Sequence, residues 1–149
     1  MSAPGEAERW ARATRGDGVA VRAVADGTLV TIEQFDSRFL AVRYGRFEQL
    51  SATLRAGFEA EPTDVQAPVM ASLLRAHVFT LGARAGLDRA GGLAVVAEAE
   101  GPLPDDALTP WLMRTQVVAN AMLAIIAVAE ETGAALSHDA IARLFEARQ

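Results

Sequence analysis

Val117 to Ala129 reads VVANAMLAIIAVA, a run in which Asn120 alone is polar, and Arg114, Gln116, Glu130 and Glu131 flank it closely. A bilayer core demands about 20 consecutive apolar residues, so this shorter run with charge at its ends reads as a helix enclosed by protein. Something must cover it on nearly every side. Either the chain's other helices do so or a neighbouring subunit does, and that choice is where function enters.

Cover is scarce. The chain has 149 residues, close to the usual size of one domain, and no stretch rich in Ser, Pro or Gly is long enough to be a linker. Residues 1–18 form a polar N-terminal arm, expected to be mobile or draped on a partner, and 19–149 are expected to form a single α+β domain. Hydrophobic residues make up 51% against 22% charged, and the mean hydropathy is +0.17, so apolar surface is being hidden somewhere. There are 31 alanines, and all 14 basic residues are arginine, a skew that points to a GC-rich bacterial or bacteriophage genome.

Several chemistries are excluded or disfavoured. Without cysteine there can be no disulfide, thiolate metal site, iron–sulfur cluster or cysteine nucleophile. The N-terminus carries acids and arginines but no apolar core of a secretory signal, which makes the cytoplasm, or an assembled particle such as a virion, the expected location. Residues 1–46 carry a net charge of +1 and residues 47–149 a net charge of −6. A protein that relied on phosphate contacts would collect positive charge, so nucleic acid is disfavoured as the main partner.

Val19 to Val24 and Thr28 to Phe35 are β-type runs around Asp26-Gly27, a dipeptide suited to the positive φ angles of a hairpin turn. Leu40, Tyr44, Phe47, Leu54 and Phe58 then recur at helical spacing. Phe39 to Arg46 also alternates as a third strand would; periodicity over so few residues leaves both readings open, and helix is preferred. Thr63 and Gln66 have the spacing of a capping box for a helix carrying Val69 or Met70, Leu73, Leu74, His77, Val78 and Leu81, with Pro68 in its first turn. A glycine-rich passage, 82–92, ends it, and Leu93 to Ala99 is apolar but of ambiguous type. Asp106 or Thr109 is expected to cap the long helix with Pro110 at its first position, Gly133 to close it, and Ser137 to cap a last amphipathic helix bearing Ile141, Leu144 and Phe145.

Within the long helix, Gln116, Asn120, Ala124, Ala127 and Glu131 step by three or four residues and form one narrow polar or small-residue seam. The plain reading makes it the solvent edge of a core helix. The sharper one is a close helix–helix contact at Ala124 and Ala127, with Asn120 bonded to its counterpart in a second subunit. Gln116, Asn120, Ala124 and Ala127, with Val118, Met122 and Ile125, are therefore the candidate interface.

Other groupings favour structural roles. Ser137-His138-Asp139 has the letters of a hydrolase triad, but adjacent helical residues diverge, so it reads as a helix start. His77 has one other histidine in the chain for company, too few for a His-based metal site. The glycines at 82, 86, 91 and 92 with Arg84 and Arg89 match no phosphate-binding pattern. Asp105-Asp106 and Glu98, Glu100 read as caps and solvated loop, Arg15-Gly16-Asp17 as a coincidental adhesion tripeptide, and the helix-turn-helix flavour of Ala129 to Phe145 has the wrong spacing.

The fold expected from these signals is α+β, mainly α: an N-terminal hairpin followed by a small helical bundle around one long central apolar helix. The expected function is a non-enzymatic protein-interaction or structural subunit, self-associating within a larger bacterial or bacteriophage assembly, without cofactor, metal or membrane span and with another protein as partner. Two alternatives stand: a small DNA-binding regulator using the C-terminal helices, and an enzyme or small-molecule binder with a site built from scattered residues.

Overall fold

The computed structural model describes residues 5–80 and 82–147. Leu81 and residues 1–4 of the N-terminal arm lie outside them. The elements run α1 (Glu6–Ala13), β1 (Val19–Val24), β2 (Gly27–Ile32), β3 (Ser37–Tyr44), β4 (Phe47–Arg55), α2 (Thr63–Ala76), β5 (Ala83–Leu87), β6 (Leu93–Glu100), α3 (Asp105–Thr132) and α4 (His138–Glu146), with a 3-10 turn at His77–Phe79 after α2. The strands form one antiparallel sheet in the order β1-β2-β3-β4-β6-β5. The chain is therefore not mainly helical, and the hairpin-plus-bundle expectation is corrected: the hairpin is the first third of a large sheet.

That correction has a local cause. Phe39 to Arg46 is strand and turn, not helix, and β4 takes Phe47 and Leu54. The register sets Val30 opposite both Val21 and Phe39, Ala41 opposite Leu50, and Arg43 opposite Glu48, so these residues share one face. The inward row of β3 and β4 thus ends in charge, which hides its alternation. Gly45, at φ 61°, is not a flaw in a helix but half of a two-residue hairpin loop with Arg46.

The chain divides into two compact units, Met1–Ala52 with Ala97–Gln116, and Thr53–Val96 with Val117–Gln149. In the first, α1 lies on the inner face of β1 to β4, its Trp10 fully buried and stacked on Trp111 of α3 with centroids 6.4 Å apart. Val30, Ile32, Phe39 and Leu50 complete this core. Burying side chains of that size contributes roughly 1.5–3 kcal/mol each, the main drive holding α1 to the sheet.

In the second unit, α2 presents Val69, Leu73 and Ala76 to a core that includes Ile141 and Phe145 of α4, Leu93 and Val95 of β6, and Met122, Ile125 and Ile126 of α3. Ser72 fixes the approach to α4: its hydroxyl donates to Pro68 O at 2.7 Å and accepts from Leu136 N at 2.9 Å. Arg75 donates to Leu136 O at 2.7 Å.

Helix ends follow local rules only in part. Ser137 does cap α4, accepting from Ala140 N, and Gly133, at φ 66°, does close α3. The Thr63–Gln66 capping box is not formed, because Pro62 is the cap of α2 and Gln66 donates instead to the carbonyls of Phe58, Glu59 and Glu61. Pro68 and Pro110 lie inside their helices, since α2 and α3 begin earlier than expected. The first hairpin turn is Ala25-Asp26, with Gly27 already paired to Val24 as a strand residue.

Candidate interaction surfaces

The most charged cluster in the first unit is interior. Glu48 lies on the inner face of β4, only 4% of its side chain exposed, and accepts from both terminal guanidinium nitrogens of Arg9 in α1, Nη2 at 3.1 Å. Leu103 N donates to it at 2.6 Å, and Arg9 Nη2 donates to Leu103 O at 2.6 Å. Glu6 joins from the same helix, accepting from Arg9 at 3.2 Å and from Arg43 at 2.8 Å. Burial pushes the Glu48 carboxyl up, but the hydrogen bonds from Arg9 and Leu103 outweigh it and hold the group below the usual carboxylate range. The Glu48 hydrogen bond likewise raises Arg9 despite desolvation. Every member faces another member, so this is a clasp between α1, β4 and the loop before α3 rather than a site open to a ligand.

The interface residues named from sequence are split by the fold. Gln116, Met122 and Ile125 are buried within this single chain, Val118, Asn120 and Ala124 are half-buried, and Ala127 is exposed. The seam reaches a surface along Ala124, Ala127 and Glu131, beside the exposed Leu123. By length and composition α3 could cross a membrane, yet half of its most apolar window is buried inside the fold, as in a core helix.

The remaining sequence candidates take structural places. His77 Nε2 accepts from Ala85 N at 3.1 Å and so ties the 3-10 turn to the outermost strand, β5. His138 and Asp139 are exposed beside the capping Ser137. The glycine-rich passage holds the β5–β6 turn, where Asp88 accepts from Gly92 N at 2.8 Å, Ala90 N at 3.0 Å and the Thr53 hydroxyl at 2.8 Å. Those bonds, led by Gly92, hold the Asp88 carboxyl below its ordinary value. Asp105 pairs with Arg12, Glu98 accepts from Gln49, and Asp17 of the Arg-Gly-Asp tripeptide accepts from Thr109. Among the described residues, no three His, Asp or Glu side chains converge as a metal site would need.

Two surfaces escaped the sequence reading. In the second unit Leu74 is 63% exposed and Val78 69%, one helical turn apart at the end of α2, and Leu87 at the end of β5 is 53% exposed. The clue was the width of the stripe: Val69, Met70, Leu73, Leu74 and Val78 are more apolar residues than one face of a helix can bury. In the first unit the outer face of the sheet carries Leu29, Leu40 and Val42, half-buried, with Tyr44 and Phe47 paired across the hairpin at 45% and 41% exposure.

No family model matches the sequence, and no curated protein matches it. Among solved structures the fold is similar to that of YbjN, a proposed transcription regulator from E. coli, with a TM-score of 0.58 and 13% identity over 85% of this chain and 92% of that one. A weaker likeness, with a TM-score of 0.48 and 19% identity over 79% of this chain and 94% of the other, is to a chain of the heterodimeric ExoU–SpcU complex from the type III secretion system of Pseudomonas aeruginosa. The first likeness, at that identity, is one of fold.

Proposed function

We propose that this chain is a non-enzymatic protein-interaction subunit that self-associates through the surface at the end of α2, inside the cytoplasm or an assembled particle. The observation that carries the reading is the exposure of Leu74 and Val78. Two large aliphatic side chains on successive turns, each more than half open to water, are a poor surface for a lone domain and a good centre for an interface. Leu87, on the strand that His77 joins through Ala85 N, is also exposed. A closed symmetric pair that buries Leu74 against Val78 of a second copy is the simplest assembly. DNA binding through α4 has less support, because that helix exposes Asp139 and Glu146 beside Arg143 and offers phosphates no net attraction.

The test is mass in solution. Sedimentation of the wild-type chain at high micromolar concentration should show a species larger than 15.8 kDa. The double variant Leu74→Glu with Val78→Glu should be monomeric and melt where the parent does. A wild-type chain that stays monomeric, and binds an apolar dye no more than the variant does, overturns the reading.

A further inference from the structure

We propose that the outer face of the β1–β4 sheet is a docking surface for an acidic amphipathic helix of a partner protein. The helical segments of this unit, α1 and residues 105–116, are engaged on the inner side: α1 reaches Glu48 and Arg43 there, and Trp111 and Asp105 reach α1. The opposite face keeps its apolar row partly open. A helix laid across it is the usual way such a sheet face is covered.

The register maps that face. One row across the strands reads Arg22, Leu29, Leu40, Ser51, and the next toward the β2–β3 connection reads Ala20, Thr31, Arg38. In the other direction along β3 come Val42 and then Tyr44, directly opposite Phe47 of β4. Leu40 to Tyr44 is four residues, on the order of 13 Å, enough for more than two turns of a partner helix. Arg46 stands 5.4 Å from the Phe47 ring centroid, at the same end.

Charge decides the occupant. Arg22 and Arg38 are exposed, and among the described residues neither forms an ion pair; other arginines share that lack, Arg114 and Arg143 among them, but these two stand on the strands of an apolar sheet face. No Asp or Glu occupies an outward position of β1, β2, β3 or β4, and Glu48 of β4 points inward to Arg9; the acids on the outer side of the neighbouring β6, Glu98 and Glu100, are already engaged by Gln49 and Arg46. Unpaired arginines beside an apolar row with two aromatic side chains have the composition of a protein-binding hot spot, and they select for carboxylates. A single-stranded nucleic acid would ask for a longer track of cations than two arginines, and it would not need Leu29, Leu40 and Val42.

The test uses the full chain and a fluorescein-labelled synthetic helix with leucines on one face flanked by glutamates. A second peptide replaces each glutamate by lysine, and labelled oligothymidine is the third probe. The glutamate peptide should bind saturably by anisotropy, and Arg22→Glu with Arg38→Glu should weaken it by about tenfold or more while the melting temperature holds. The lysine peptide should show the reverse preference. Arg114→Glu with Arg143→Glu, exposed on α3 and α4, makes the same change in net charge and should leave the affinity unchanged, as should the Leu74 and Val78 double variant, so this surface is separable from self-association. No saturable binding of the glutamate peptide, equal loss with the Arg114 and Arg143 double variant, or tighter binding of oligothymidine overturns the proposal.

Discussion

Arg43 and Glu48 stand opposite each other across the β3–β4 ladder, yet Glu48 gives its carboxylate to Arg9 of α1, and Arg43 donates instead to Glu6 of the same helix. Two charges that neighbouring strands would ordinarily pair with each other are used to attach the N-terminal helix. The α1 segment is thus held by Trp10 in the core and by ions at its rim.

Removing one side of this clasp should be costly. Arg9→Ala leaves the Glu48 carboxylate buried without its cation, and the expected loss is about 3–5 kcal/mol in urea unfolding. Arg9→Met with Glu48→Leu should lose less, because no charge is then stranded and the remaining cost is the loss of partners for Leu103 N and O. Equal losses in the two variants would mean that the helix is held by Trp10 alone.

Acid should loosen the β5–β6 turn through Asp88. Its carboxyl is held below the ordinary value by Gly92 N and the Thr53 hydroxyl, so its contribution is present above the usual carboxylate range near pH 4 and disappears as pH falls through the lower folded value. Asp88→Asn should therefore melt below the parent at pH 7, and the gap should narrow as the pH is taken below about 4. Thermal melts at a series of pH values read this directly.

Glycine matters at two positions for different reasons. A Cβ on Gly27 would meet the Ala41 carbonyl oxygen at contact distance too short to exist, with Val42 and Leu40 at 3.1 and 3.3 Å, so Gly27→Val should cost about 1–3 kcal/mol by overpacking. Gly45 has open space but a φ of 61°, and Gly45→Ala should cost roughly 1–2 kcal/mol from left-handed strain alone. Because the closest atom is backbone, Val42→Ala should rescue little of the first loss and none of the second, which thermal melts of the double variants would read.

Along α3 the buried and exposed sides should differ sharply in their sensitivity. Ile125→Ala removes a fully buried side chain and should cost about 2–5 kcal/mol. Ala127→Glu, on the exposed edge, should shift stability by no more than about 0.5 kcal/mol in the monomer. Chemical denaturation of both variants at low protein concentration makes the comparison.

The elements legible along the chain are those whose causes are local. The apolar run at 117–129 specified a core helix because no other element can bury so continuous a surface, Gly133 ended it because a left-handed residue is cheap there, and Ser137 began α4 by capping a nearby amide. Tertiary structure decided the sheet. Phe39 to Arg46 leaves helix and strand both open because Leu40, Tyr44, Phe47 and Leu54 happen to recur at helical spacing, while the true inward row ends in Arg43 and Glu48, and charge there is tolerable only when Glu6 and Arg9, more than thirty residues away in the chain, arrive to neutralise it. The same holds for the surfaces: whether Leu74 or Leu73 is buried, and whether Gln116 faces water or the core, depends on which side of each helix meets its neighbours, and spacing along a helix sets the angle between side chains without setting the direction of the core.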